Sequence, residues 1–143
     1  MQVMQILKDK GAEVMTMPAN ASIADAVQTL NERRIGAIVV TNRRGDIEGI
    51  LSERDVVHAL AERGAGLLEA HISDLMTRQV FTCAPDTSLE ELMRQMTRRR
   101  IRHLPVLRDG RLCGIVSIGD VVKNRLMELE TEATTLREYI GGR

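Results

Sequence analysis

The sequence predicts a mixed α/β (α+β) fold: two tandem βαββα repeats packed about a pseudo-twofold axis, followed by an extended C-terminal helix. Two observations carry this prediction. A long segment recurs in the same order along the chain, and each copy switches between helical and strand periodicity at matching places. Neither copy alone would bury much of its sheet face, so the two halves are expected to pack on each other.

An offset of 66 positions pairs Val14-Met15-Thr16 with Val80-Phe81-Thr82, Ser22 with Ser88, Arg33-Arg34-Ile35 with Arg99-Arg100-Ile101, and Val40 with Val106. One residue is lost in the following turn, and the offset becomes 65. It then pairs Gly49-Ile50 with Gly114-Ile115, Ser52 with Ser117, and Asp55-Val56-Val57 with Asp120-Val121-Val122. The resulting partition is a helical segment over 1–13, a first motif over 14–66, a linker over 67–79, a second motif over 80–124 and a helical extension over 125–143.

Each repeat opens with a short strand carrying Thr16 or Thr82, then a proline-containing turn. Ser22-x-x-Asp25 and Ser88-x-x-Glu91 read as capping boxes that start a helix. Ile23, Ala26, Val27 and Leu30, and likewise Leu89, Leu92, Met93 and Met96, fall at helical spacing and cover a core. Two strands follow in each copy, Ala37 to Thr41 with Ile47 to Leu51, and Leu104 to Leu107 with Leu112 to Val116. Gly45 and Gly110 supply the positive φ that the tight turns between them need. Ser52 and Ser117 then cap a second helix in each repeat.

The C-terminal helix continues past the repeat. Val122, Leu126, Leu129, Ala133, Leu136 and Ile140 alternate spacings of four and three, with acidic and basic residues off that line. Such a seam wants a partner helix, from a second copy or from the protein's own body; a homodimer is the economical expectation.

Composition narrows the function. Twenty Lys and Arg balance twenty Asp and Glu, so no global field favours nucleic acid or an anionic membrane. Cys83 and Cys113 lack metal-ligand spacing and fit a reducing cytoplasm, and the first residues lack the marks of a signal peptide. Phe81 and Tyr139 are the only aromatic residues, against eight methionines, so a bound base would find few rings. His58, His71 and His103 are scattered, and no Walker loop, GxGxxG, HExxH or Ser-His-Asp set is present, which argues against catalysis.

Gly49-Ile50-Leu51-Ser52-Glu53-Arg54-Asp55, Gly114-Ile115-Val116-Ser117-Ile118-Gly119-Asp120 and Arg102-His103-Leu104-Pro105-Val106 closely resemble the signature segments of CBS (cystathionine β-synthase) motifs. The resemblance runs over about residues 14 to 124, and its motifs occur in order, twice. It implies a Bateman-type pair, a non-catalytic regulatory module. Pairs of this kind bind adenosine-containing ligands such as AMP, ATP, NAD(H) or S-adenosylmethionine, with AMP the foremost expectation here. It further implies two pairs joined in a flat disk and an effector protein not encoded in this chain.

Asp55 and Asp120 stand three residues after their capping serines, where an ionised carboxylate can accept both ribose hydroxyls or simply cap its own helix. Ser52 and Ser117 sit at helix N-termini that attract phosphate. Arg54 would add charge in the first repeat, where the second has Gly119. Arg102 and His103 would add it in the second, where the first has Gly36 and Ala37. The run Arg98 to Arg102 also reads as a solvated helix end. The resemblance places Thr16, Met17, Pro18, Ala37 and Ile38, with Thr82, Cys83, Ala84, Leu104 and Pro105, around the base. Met17 and Cys83 read equally well as core filling. No metal ligand set is expected.

Overall fold

The computed structural model describes residues 1–141; residues 142 and 143, the end of the helical extension, lie outside the described residues. The chain runs α1 (Val3–Lys10), β1 (Thr16–Met17), α2 (Ile23–Arg33), β2 (Ala37–Thr41), β3 (Ile47–Ser52) and α3 (Glu53–Arg63). A 3-10 helix (Gly64–Glu69) and α4 (Ile72–Leu75) lead into α5 (Leu89–Arg99), β4 (His103–Arg108), β5 (Arg111–Ser117) and α6 (Ile118–Gly141).

In the first repeat β1 pairs parallel with β2, and β2 antiparallel with β3, giving the order β1-β2-β3. In the second, β4 and β5 form the antiparallel pair, and the predicted strand at Thr82 shrinks to a single parallel bridge between Cys83 and Val106. Both hairpins carry a bulge at equivalent places, Val40/Thr41 and Val106/Leu107. The second turns on Asp109 and Gly110, both at positive φ, the geometry that matches the strands' own twist.

The helix starts behave as their sequences dictate. Ser22 Oγ accepts the Asp25 N–H and Ser88 Oγ the Glu91 N–H, each at 3.1 Å. Asp25 and Glu91 do not reach back to the cap residue, so these are serine caps rather than the full boxes the spacing predicts. The reciprocal box forms instead at α3 and at α6: Asp55 Oδ2 accepts the Ser52 N–H and Asp120 Oδ2 the Ser117 N–H, both at 2.9 Å.

Two aliphatic cores result, one per repeat. Ile23, Ala26, Leu30, Ile38, Val40 and Leu51 centre the first, and Leu89, Leu92, Met96, Leu104, Val106 and Val116 the second. The helices that precede the repeats are exchanged between them. Val3 and Ile6 of α1 lie in the second core, whereas Ile72 of α4, with Leu67 and Met76, lies in the first. The segment 67–79 is thus an ordered, core-forming piece of the first repeat's body as well as a connection. Glycine makes room for both exchanges: a Cβ on Gly49 would stand 2.7 Å from Met76 Sδ, and one on Gly114 2.7 Å from Leu7 Cδ2.

Within α6 only Val121 and Asn124 are buried. Val122, Leu126, Leu129, Leu136 and Ile140 all stay exposed, so this seam does not fold back onto the chain's own body. None of the described helices is long and apolar enough to cross a membrane.

Candidate functional site: a cleft between the two repeats

Strand β2 enters its sheet at Ala37 and β4 enters at His103, and the chain before each strand is pinned by an unusual helix ending. Arg34 closes α2 at φ 53° and Arg100 closes α5 at φ 54°, both left-handed. A non-glycine residue pays for that conformation with about 1 kcal/mol, and its repetition at equivalent positions marks a geometry the fold requires. Arg34 and Arg100, with Ile35 and Ile101 after them, line a cavity of about 720 Å³ between the repeats.

The cavity is built from matched halves. Val14 and Met15 face it from one repeat, Val80 and Phe81 from the other. Ile50 is matched by Ile115, Ser52 by Ser117, and Arg54 by Gly119. The N-termini of α3 and α6 therefore open into one space, with their orphan N–H groups and positive dipole ends. Lys10, Arg34, Arg54, Arg100 and Arg102 bring cationic side chains, and Glu13, Glu53 and Asp55 bring acidic ones.

The halves also differ. Gly36 takes the position that Arg102 holds in the other repeat, and a Cβ on it would lie 3.0 Å from His103 Nε2. His103 thus fills space that a larger residue at position 36 would claim. Burial lowers the pKa of His103 below the ordinary histidine value, against a partial counter-pull from Glu53. Burial thus favours the neutral imidazole in the ligand-free protein. A neutral ring still offers one donor and one acceptor. Phe81 is the one aromatic ring lining the cavity, and the Arg99 guanidinium carbon lies 3.8 Å from its ring centroid.

The two acids are not equivalent. Asp55 lines the cavity, and the Ser52 N–H occupies its Oδ2. Asp120 sits behind Lys10, whose Nζ donates to Asp120 Oδ2 at 2.7 Å and to the Ile115 carbonyl at 2.9 Å. Burial pushes the Asp120 carboxyl up. The Lys10 hydrogen bond, the Ser117 N–H and the Lys10 charge outweigh it, and hold the pKa below the usual carboxylate range.

Of the residues picked from the sequence, Ala37, Ser52, Arg54, Asp55, Arg102, His103 and Ser117 meet at this cavity. The proposed base contacts need correction. Ile38 and Leu104 are fully buried in the two cores, because strand alternation turns them away from the cleft that Ala37 and His103 face. Cys83 is buried in the second core, and burial pushes its thiol up to about 12. Met17 packs on the first core. Pro105 is buried and its carbonyl accepts the Cys83 N–H. Thr16, Pro18, Thr82 and Ala84 also lie off the lining. The chain reaches the cleft two residues earlier in each repeat, at Val14-Met15 and Val80-Phe81, before β1 and its counterpart turn into the sheets.

Sequence reasoning missed Lys10, Arg34 and Arg100 as lining residues. The last two were visible as an arginine repeated at the 66 offset. Lys10 carried no signal, because it lies ahead of the recognised repeat and has no charged counterpart.

A duplicated βαββα unit with a cleft between its copies defines a two-lobed tandem-repeat module. The CBS domain family model matches residues 5–62 and 72–126. The chain belongs to the CBS domain family.

The chain is similar to the solved CBS-domain containing protein ATU1752 from Agrobacterium tumefaciens, with 45% identity, a TM-score of 0.85, and coverage of 87% of this chain and 99% of that one. It is 31% identical to the mitochondrial CBS domain-containing protein CBSX3 of Arabidopsis thaliana, over 98% of this chain and 72% of that protein. Two further structures carry ligands. The CBS domain protein PAE2072 from Pyrobaculum aerophilum, complexed with AMP, matches at 26% identity and a TM-score of 0.78, covering 92% and 99% of the two chains. The CBS domain pair of protein MJ0100, complexed with 5′-methylthioadenosine and S-adenosyl-L-methionine, matches at 27% and 0.78, covering 91% and 98%.

Proposed function

We propose that this protein is a non-catalytic regulatory module that binds an adenine nucleotide in the cleft between its two CBS motifs and passes ligand state to an effector protein through a change in the cleft. The observation that carries this reading is the cavity itself. Its volume falls in the range of small-molecule sites. It also brings the N-termini of α3 and α6, a ribose-competent carboxylate and four arginines to one place.

The arginines favour a phosphate-bearing ligand, AMP first, then ADP, ATP or NAD(H), over the uncharged 5′-end of a methylthioadenosine. Asp55 and Asp120 serve the ribose, and Ser52, Arg54, Ser117 and Arg102 the phosphate. His103 contributes a neutral hydrogen bond. Phe81 and Met15, not the residues after them, provide the flat and soft surfaces for the base. Two free thiols, Cys83 and Cys113, fit a reducing compartment such as the cytoplasm. The exposed seam of α6 fits pairing with a second copy, and through it a disk of two CBS pairs.

The test is native mass spectrometry of freshly purified protein, followed by titration with AMP, ATP, NADH and S-adenosylmethionine. The reading expects bound adenine nucleotide, tightest for a phosphate-bearing one. Absence of binding to all four would leave a ligand-free module working through protein contacts alone.

A further inference from the structure

We infer that Lys10 is an internal latch on the Asp120 half of the cleft, so that the chain takes one adenine nucleotide tightly, in the Asp55 half, and a second only when Lys10 lets go. This rests on the reading of Asp55 and Asp120 as ribose acids and specifies how that site is regulated.

The two carboxylates differ in the lone pairs they have free. A carboxylate that grips a ribose diol needs a free acceptor site on each oxygen. At Asp55 one site on Oδ2 is taken by the Ser52 N–H, which leaves the second site of Oδ2 and all of Oδ1. At Asp120 both sites of Oδ2 are taken, by the Ser117 N–H at 2.9 Å and the Lys10 ammonium at 2.7 Å. Only Oδ1 remains there, and two-point recognition of a diol is lost while Lys10 stays in place.

The reason Lys10 stands there is the exchange of helices. Val3 and Leu7 of α1 occupy the places in the second repeat that Ile72 and Met76 occupy in the first, with Leu7 over Gly114 as Met76 is over Gly49. The same register sets Lys10 against Gln79. In the first repeat the helix stops at Leu75 and the chain straightens, so that the Thr77 N–H satisfies the Ile50 carbonyl at 2.9 Å. In the second, α1 continues through Lys10 and offers no such backbone. The matching Ile115 carbonyl is satisfied by Lys10 Nζ instead, at 2.9 Å. Lys10 is therefore held by two acceptors on the second repeat, while Gln79 makes no equivalent bond to Asp55. Lys10 also belongs to a helix whose buried face lies in the second core, so the latch connects occupancy of the Asp120 half to the seating of α1.

The experiment is calorimetric titration of the full chain with AMP, near neutral pH and at moderate salt. Wild type is expected to bind one equivalent tightly. Lys10→Met keeps the aliphatic stem and removes the ammonium. It should gain a second equivalent, or tighten the weak one at least about tenfold, as expected for restoring a charge-assisted hydrogen bond. Lys10→Gln should do the same, and circular dichroism would show both variants folded. The gain should vanish in Lys10→Met/Asp120→Asn. Asp55→Asn in the wild-type background should remove the tight equivalent. Two equal sites in wild type, or loss of affinity without a second site in both Lys10 variants, would overturn the latch; the second result would make Lys10 a phosphate ligand. Failure of AMP to bind wild type and every variant would instead overturn the nucleotide reading on which the latch rests.

Discussion

Replacing Asp55 by alanine removes two things at once, and the structure allows them to be separated. The carboxylate accepts the Ser52 N–H at 2.9 Å as half of a reciprocal cap, and it faces the cleft. Losing the cap costs about 1 kcal/mol. A chain of this length unfolds with an entropy of about 0.3 kcal/mol/K, so the melting temperature of the ligand-free protein should fall by roughly 3 °C. Ligand adds a second effect. AMP at about 100 times its Kd stabilises the native state by about 2.7 kcal/mol, or roughly 9 °C in wild type. Loss of a charge-assisted grip on the ribose weakens binding by about 2 kcal/mol, near thirtyfold. The AMP-induced shift then shrinks to about 3 °C at the same concentration. Asp25→Ala is the control: unlike Asp55, its carboxylate does not return to the cap residue's N–H, so Ser22 alone caps that helix. That variant should melt within about 2 °C of wild type and keep the full shift. Differential scanning fluorimetry with and without AMP reads all four numbers. If Asp55→Ala melts lower yet keeps the whole AMP shift, Asp55 is a helix cap and nothing more.

Other consequences follow from the same geometry. His103 has a folded pKa below its unfolded value, so its contribution to stability is fully present above about pH 6.5 and is lost as pH falls toward the folded value. The melting temperature should drop between pH 7.5 and 5.5, less steeply in His103→Gln, with Glu53, Lys10, Asp120 and Arg102 as the other charges acting on the ring. A phosphate beside the ring would favour its protonation, so AMP should bind tighter at pH 6 than at pH 7.5; a flat titration profile would remove His103 from the ligand's surroundings. Gly49→Ala drives a Cβ to 2.9 Å from the Thr77 carbonyl, which is backbone, whereas Gly114→Ala meets only the movable end of Leu7. Overpacking of the first kind should cost about 2 kcal/mol and of the second about 1, measured by urea unfolding, and equal costs would contradict the unequal walls. Leu126 is 55% exposed in the seam of α6, and Leu126→Asp should convert a dimer to a monomer by light scattering without lowering helix content.

The repeat and its elements were legible because they rest on local rules: serine caps, a 3.6-residue apolar beat, and glycine where the hairpin turns demand positive φ. The cleft residues with cap chemistry, Ser52, Asp55 and Ser117, were legible for the same reason. The base contacts were displaced because a motif fixes the order of residues, and which face of a short strand a residue uses depends on where pairing begins. Residue pairing of β1 begins at Thr16, with the Met15 carbonyl accepting the Val39 N–H, so Val14 and Met15 lie at the end of the sheet and line the cleft. The role of α1 was hidden for a different reason. Its counterpart is α4, at an offset of 69 rather than 66, and each packs on the repeat that does not follow it. Sequence adjacency gives no hint of an exchange. Only the small residues at 49 and 114, each under an apolar side chain from an exchanged helix, encode it.

That exchange bears on how a ligand in the cleft could be felt elsewhere. If each repeat were closed on itself, opening the cleft would move two self-contained bodies apart and disturb little within either. Here α1 is covalently tied to β1 of the first repeat through residues 11–15, while its apolar face is buried in the second. The segment from Gly64 to Met76 makes the reverse tie, buried in the first repeat and leading to the second. Val14 and Met15 end the first tie, and Thr77, Gln79, Val80 and Phe81 end the second, and all of them line the cavity. A nucleotide that presses on these residues acts on the two straps that hold the halves in register. A shift there would reach α1 and α4 through their packing in the two cores, since close-packed interiors do not absorb displacement gradually.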